Sequence, residues 1–233
     1  MLRTAAICTM AASAIAFASS ANALTLDGLV SDLGSAQATD AVLPTSGEGG
    51  AGPNAVMDLS GIYAAEDSGT INLALTIAAD IGATNWGKYK IFIQTNNGGT
   101  GSTTDPWGRA IACGGGFSPQ YCLSCWVDSG GGFNYHHWNG SSWDSLGSGA
   151  TFAISGAGNG GQGGVEWALT RSSLGTPSTI QIQGTCTGGG GGDNGQDAVP
   201  SQANATDWGT VTTLSTPTSA ITVPVGVSGF TIE

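Results

Sequence analysis

The chain has 233 residues, of which only 9% are charged, and a formal net charge of −11. Such an acidic surface repels nucleic acid and anionic lipid and leaves cations and neutral polymers as partners. Forty glycines argue for many turns and against long helices, and polarity supplied mainly by Gly, Ser, Thr, Asn and Gln is a pattern of secreted β-proteins.

Residues 1–23 read as a secretory signal peptide. Arg3 gives a short basic start, residues 5–18 are apolar and alanine-rich, and Ala21-Asn22-Ala23 has small residues where a signal peptidase reads. Cleavage before Leu24 leaves residues 24–233, the size of one all-β domain. The product is expected outside the cell, or in the periplasm if the cell is Gram-negative. No later segment is long and apolar enough to span a bilayer as a helix.

Asp27 and Asp32 follow the cleavage point, and 34–56 is a polar stretch expected to lie as a loop over one sheet. Strands then announce themselves by alternation. In 71–78, Ile71, Leu73, Leu75 and Ile77 face one way; in 88–95, Tyr89, Ile91 and Ile93 share a face opposite Lys88, Lys90 and Gln94. Phe92 breaks that pattern, so the outer face there is expected to be partly covered. Further strands are expected over 120–128, 133–138, 150–155, 164–169, 179–186, 209–214 and 219–225. Glycine-rich loops at 97–102, 114–116, 130–132, 156–164 and 188–192 separate them. The one helical turn expected is 170–175, stopped by Gly175. About nine strands with regular turn signals specify an antiparallel β-sandwich.

Four cysteines lie beyond the signal, and an even count in an exported protein reads as two disulfides. Strand parity puts Cys125 and Cys186 on the apolar side and Cys122 on the other, which favours the pairs Cys125–Cys186 and Cys113–Cys122. An extended strand splays the sulfurs of Cys122 and Cys125 apart, against a thiolate metal site.

In 133–144, Asn139-Gly140 is a strong turn signal, and a four-residue loop places Trp138 directly across from Trp143. This pair is either packing or a shelf for sugar rings. Tyr135 on the same strand, and Trp86 and Trp107 in Gly- and Pro-flanked loops, are the other aromatic candidates; Trp126 and Trp167 read as core or sheet-covering residues. Adjacent His136 and His137 face opposite ways and cannot act as one metal pair. For calcium, which takes six to eight oxygens, the candidates are Asp193 and Asp197 on a turn-rich stretch, with Asp27 and Asp32 as a second set.

Six phrases, in order, resemble DOMON-like sandwiches, namely family 9 carbohydrate-binding modules and the modules appended to secreted glucodextranases and amylopullulanases. They are LDGLVSDLG (26–34), NWGKYKIFIQTN (85–96), DPWGR (105–109), YHHWNGSSWD (135–144), VEWALTRSSLG (165–175) and NGQDAVPSQ (194–202). The resemblance implies a sandwich of immunoglobulin-like or jelly-roll type that binds a glycan or polysaccharide without catalysis, with calcium as a stabilising ion. Some DOMON-like domains hold b-type haem through Met with His or Lys; here that set would be Met57 with Lys88, Lys90, His136 or His137. Two further readings stand beside these. One is an extracellular structural or matrix protein without a small ligand. The other is a jelly-roll glycosidase, which needs two facing carboxylates, whereas only Glu166 sits in a strand. There is no G-x-S-x-G or H-E-x-x-H motif.

Overall fold

The computed structural model describes residues 15–16, 23–40, 55–83, 87–128, 131–200, 205 and 207–224. Most of the expected signal segment, residues 41–54 of the polar stretch and Trp86 lie outside that set. No helix among the described residues is long and apolar enough to cross a membrane.

The alternating segments assemble into two main sheets. In spatial order the first contains β1 (Ile15–Ala16), β15 (Ile221–Thr222), β12 (Thr179–Thr187), β5 (Lys88–Thr95), β7 (Tyr121–Trp126), β8 (Gly132–Trp138) and β9 (Trp143–Leu146), with β13 (Gly195–Val199) also paired to β12. The second contains β10 (Ala150–Asn159), β11 (Gln162–Thr170), β4 (Thr70–Ile77), β3 (Leu59–Asp67) and β2 (Ala38–Thr39). Apart from β1–β15 and a separate pair of β6 (Ile111–Cys113) with β14 (Thr212–Leu214), the pairings are antiparallel. The fold is an all-β sandwich.

Its core lies between the sheets, where Leu73, Leu75, Val165 and Trp167 of the second meet Ile91, Ile93, Leu123 and Ile182 of the first. The outer face of the first sheet is covered as well. Phe92 and Cys122 point into a smaller cluster with Ile111, Cys113, Phe117, Ala198 and Leu214, which explains the apolar residue that interrupts the alternation of β5.

Residues 24–33 cross the outer face of the second sheet as a strap. Leu33 and Val30 pack on Ala65 and Ala74. A Cβ at Gly164 would collide with the Gly28 carbonyl oxygen, so the close approach of strap and sheet needs glycine there. Glu166 on β11 latches the strap: its Oε2 accepts the N–H groups of Asp27 and Gly28, both at 3.1 Å, and its Oε1 accepts from Asn72 Nδ2 at 2.7 Å.

The helical turn at 170–175 is a 3-10 turn, Arg171–Leu174, capped by Thr170 and stopped by Gly175 at φ 74°. Three expectations need correction. Residues 156–164 are mostly not loop: β10 and β11 run on through glycines and meet at a tight turn, Gly160-Gly161. β3 was not among the expected strands: past a bulge at Ser60 it pairs in step from Gly61 to Asp67, but its outward Gly61 and Ala65 are as buried as its inward Ile62 and Ala64, so no clean alternation shows.

The third correction concerns the cysteines: among the described residues Cys113, Cys122, Cys125 and Cys186 are buried and none is in a disulfide. Parity is as read, with Cys125 and Cys186 in the main core and Cys113 and Cys122 in the outer cluster. Tyr89 of β5, however, stands in register between Cys186 and Cys125. Two strand spacings are about 9.6 Å, beyond the roughly 7 Å a disulfide can bridge between Cα atoms. Cys113 and Cys122 share a cluster unbonded, the Cys122 sulfur lying 3.5 Å from Ser124 Oγ.

Glu166→Ala leaves the two strap N–H groups and the Asn72 amide without their acceptor. It is expected to cost on the order of 3 kcal/mol in urea unfolding and to open residues 24–33 to limited proteolysis.

Candidate functional site

Lys90 is the central outward residue of the first sheet, flanked in register by Ser124 and Thr185. It is fully buried, and its Nζ contacts Asp105 Oδ1 at 2.5 Å, with Asp105 equally buried. Burial pulls the Lys90 pKa down, against the opposing pull of Asp105. The carboxylate reaches this position because 105–109 wraps around it: Oδ2 accepts the N–H groups of Trp107 (2.8 Å) and Arg109 (3.1 Å). An Asp-Pro step favours such a turn. The Trp107 ring closes over the pair, 3.9 Å from Lys90 Nζ to the ring centroid, while its Nε1 donates to Asn134 Oδ1. Trp126 packs beside it at 6.1 Å, with its own ring over Gly132. Trp107 is therefore a half-buried lid rather than a free loop aromatic.

Neighbouring groups are held in quiet states. Burial, and then Lys90, lower the His136 pKa, and its Nδ1 is buried without a hydrogen-bond partner. Burial pushes the Cys122 thiol up to about 12, beyond what Lys90 offsets.

The hairpin forms as the turn signal specifies. Asn139 N donates to Ser142 O at 3.0 Å, the Asn139 side-chain oxygen accepts from Ser141 and Ser142, and Trp138 pairs directly with Trp143. The two indoles meet edge-to-face at 5.6 Å, and both are half-buried. Trp143, on the edge strand β9, rests against the Phe92 cluster and donates its Nε1 to Thr104 O at 2.9 Å, so it is anchored; Trp138 opposite it lies at the hairpin end of β8. Tyr135, also expected as a ligand platform, is not one: β8 points it into the core, with its hydroxyl donating to Ser173 O. His137 packs against Tyr121 in a tilted contact at 4.8 Å, and Trp167 is core.

The four calcium candidates do not converge. Asp27 and Asp32 accept the N–H groups of Leu29 and Thr25 inside the strap, and Asp193 accepts that of Gly190 in its own turn. Asp197 lies on a strand rather than a loop, buried, accepting from Leu59 N (2.7 Å) and Ala198 N (2.8 Å). Burial raises it to about 8 despite those bonds, with Asp40 and Asp58 adding to the rise; Asp58 itself is raised to about 6 by burial and then by Asp40. Among the described residues no group of three or more His, Cys, Asp or Glu is arranged to hold a metal ion.

The haem set does not converge either: Met57 is in the inter-sheet core, whereas Lys90 and His136 face outward under the loop layer and Lys88 is paired with Asp128 at 2.6 Å. Glu166, the strand carboxylate of the glycosidase reading, is buried with both oxygens committed to the strap and Asn72. No protein-family model matches the chain, and no curated protein matches it.

Two predictions follow from these charges. Asp105→Ala strands a buried ammonium and is expected to destabilise the fold by about 3–5 kcal/mol, whereas Lys90→Met combined with Asp105→Leu recovers most of that loss in urea unfolding. For Asp58 and Asp197 the folded state holds its protons more tightly than the unfolded chain, whose aspartates titrate near 3.8. Their contribution is therefore full below about pH 4 and is lost as pH rises towards about 8. The melting temperature of Asp197→Asn is expected to fall less than the parent's between pH 5 and 8, whatever the cost of losing one of the two backbone hydrogen bonds to the carboxylate.

Proposed function

We propose that this protein is an exported, non-catalytic carbohydrate-binding module whose platform is the Trp138–Trp143 hairpin. The observation that carries this reading is the geometry of the pair. Trp143 is fixed by the Phe92 cluster and by Thr104, and it meets Trp138 edge-to-face at the hairpin end of the sheet. A half-buried indole held in this way offers a flat, preorganised face to the C–H side of a sugar ring at little entropic cost. The low density of charge and the overall negative balance suit a neutral polymer over an ionic partner. Calcium is not needed for this reading, since among the described residues the aspartates that suggested it form no group of three or more that could hold a metal ion.

The test is a glycan-array screen of the mature chain, followed by fluorescence titration with the best glycan. Binding is expected to shift tryptophan emission, and Trp138→Ala to weaken it about tenfold, the loss of one stacking contact of roughly 1.4 kcal/mol. A chain that shows no glycan response but assembles with rising concentration would instead be a structural or matrix protein.

A further inference from the structure

On the opposite side of the sandwich, beside the strap, an open groove of about 350 Å³ runs over the outer face of the second sheet. Its walls are Leu29 and Val30 of the strap and Asn159 at the end of β10, and its floor includes Tyr63, Thr76 and Gln162. None of the residues lining it carries a charge at neutral pH, in a chain whose net charge is −11.

The floor is built around a glycine. Gly61 and Tyr63 share the outward face of β3, and a Cβ at Gly61 would stand 3.0 Å from Tyr63 Cε2, 3.5 Å from Tyr63 Cζ and 3.1 Å from Thr76 Oγ1. With no side chain there, the tyrosine ring leans back along the strand over residue 61 instead of standing off the sheet. The bulge next to it sets Ser60 Oγ 2.9 Å from Thr76 Oγ1 and 3.3 Å from Gln162 Oε1. That contact occupies the glutamine oxygen and leaves its Nε2 donors without a protein partner among the described residues. The Tyr63 hydroxyl likewise has none. The wall is held firmly: Asn159 accepts from Val30 N at 3.0 Å and donates to Gly28 O at 3.1 Å.

A reclining aromatic ring, an amide with spare donors and two hydroxyls, with no charge, match the surface of a neutral pyranose: an apolar C–H face rimmed by hydroxyl groups. We propose that this groove is a second carbohydrate site, taking one neutral sugar unit of an oligosaccharide on Tyr63 with its hydroxyls on Gln162 and Thr76. The proposal rests on the glycan reading above but not on the hairpin. Because the two sites face away from each other, a single molecule would join two polysaccharide chains.

The experiment is amide-resolved NMR titration of the full mature chain with millimolar maltohexaose, cellohexaose, laminarihexaose, xylohexaose and chitohexaose in turn. Supporting the proposal, one or more probes shift the backbone amides of Tyr63 and Thr76 and the side-chain amide of Gln162. Tyr63→Ala and Gln162→Ala then each weaken those shifts about tenfold, while Trp138→Ala leaves them in place. Gly61→Ala, which lifts the ring, weakens them too. Tyr63→Leu keeps the apolar contact with the strap and removes the ring, so it serves if Tyr63→Ala does not fold. Shifts confined to Trp138 and Trp143 would overturn this site and keep the hairpin. Shifts confined to the groove would keep this site and overturn the hairpin. No response to any probe would overturn both.

Discussion

The Lys90–Asp105 pair is the constraint on which the outer layer of the molecule depends. A lysine at the centre of a sheet, covered on both faces, is tolerable only if its charge is met inside the protein. One aspartate meets it, and the same carboxylate gathers two backbone N–H groups of the 105–109 turn. Trp107, held by that turn, roofs the pair. The interaction thus fixes a loop to a sheet in one arrangement, which uniform apolar packing does less well.

With that loop in place, the rest of the outer layer has something to pack on. β6 ends on Cys113, which with Phe117 joins Phe92 and Cys122, and Trp143 leans on the same cluster. The Thr104 carbonyl, one residue before Asp105, receives the Trp143 indole N–H. The proposed sugar platform is therefore held, through a few contacts, by the buried ion pair. Stapling of this kind was expected from disulfides, but the sulfurs lie on the right faces at the wrong spacing, and an ion pair does the holding instead.

Much of the scaffold was legible in residue patterns. Alternation in 71–78 and 88–95 marked β4 and β5, Gly175 marked the end of the 3-10 turn, and Asn139-Gly140 set the register that opposes Trp138 to Trp143. The site was less so. Parity turned Lys90 outward, but its burial depends on a turn that only tertiary contact brings over it, so no local signal linked it to Asp105. Tyr135 was an aromatic on a strand and pattern alone did not say that its face was the core. β3 stayed hidden because glycine and alanines on both its faces blur the alternation, and with it went Tyr63 and the groove. Asp197 read as a loop ligand because its neighbours are turn-forming residues, whereas pairing with β12 makes the segment a strand.

The strap and the loop layer give the two outer faces different characters, one latched by a buried carboxylate and the other by a buried ion pair. The most direct measurement of that account is native-state hydrogen exchange, followed by NMR, at the backbone amides of Trp107 and Arg109. Both lie in a loop with no ladder partner, so their protection reports the Asp105 carboxylate beneath them. The account predicts exchange as slow as that of the β5 amides. Exchange near the unfolded-chain rate at Trp107 and Arg109, with β5 still protected, would contradict it.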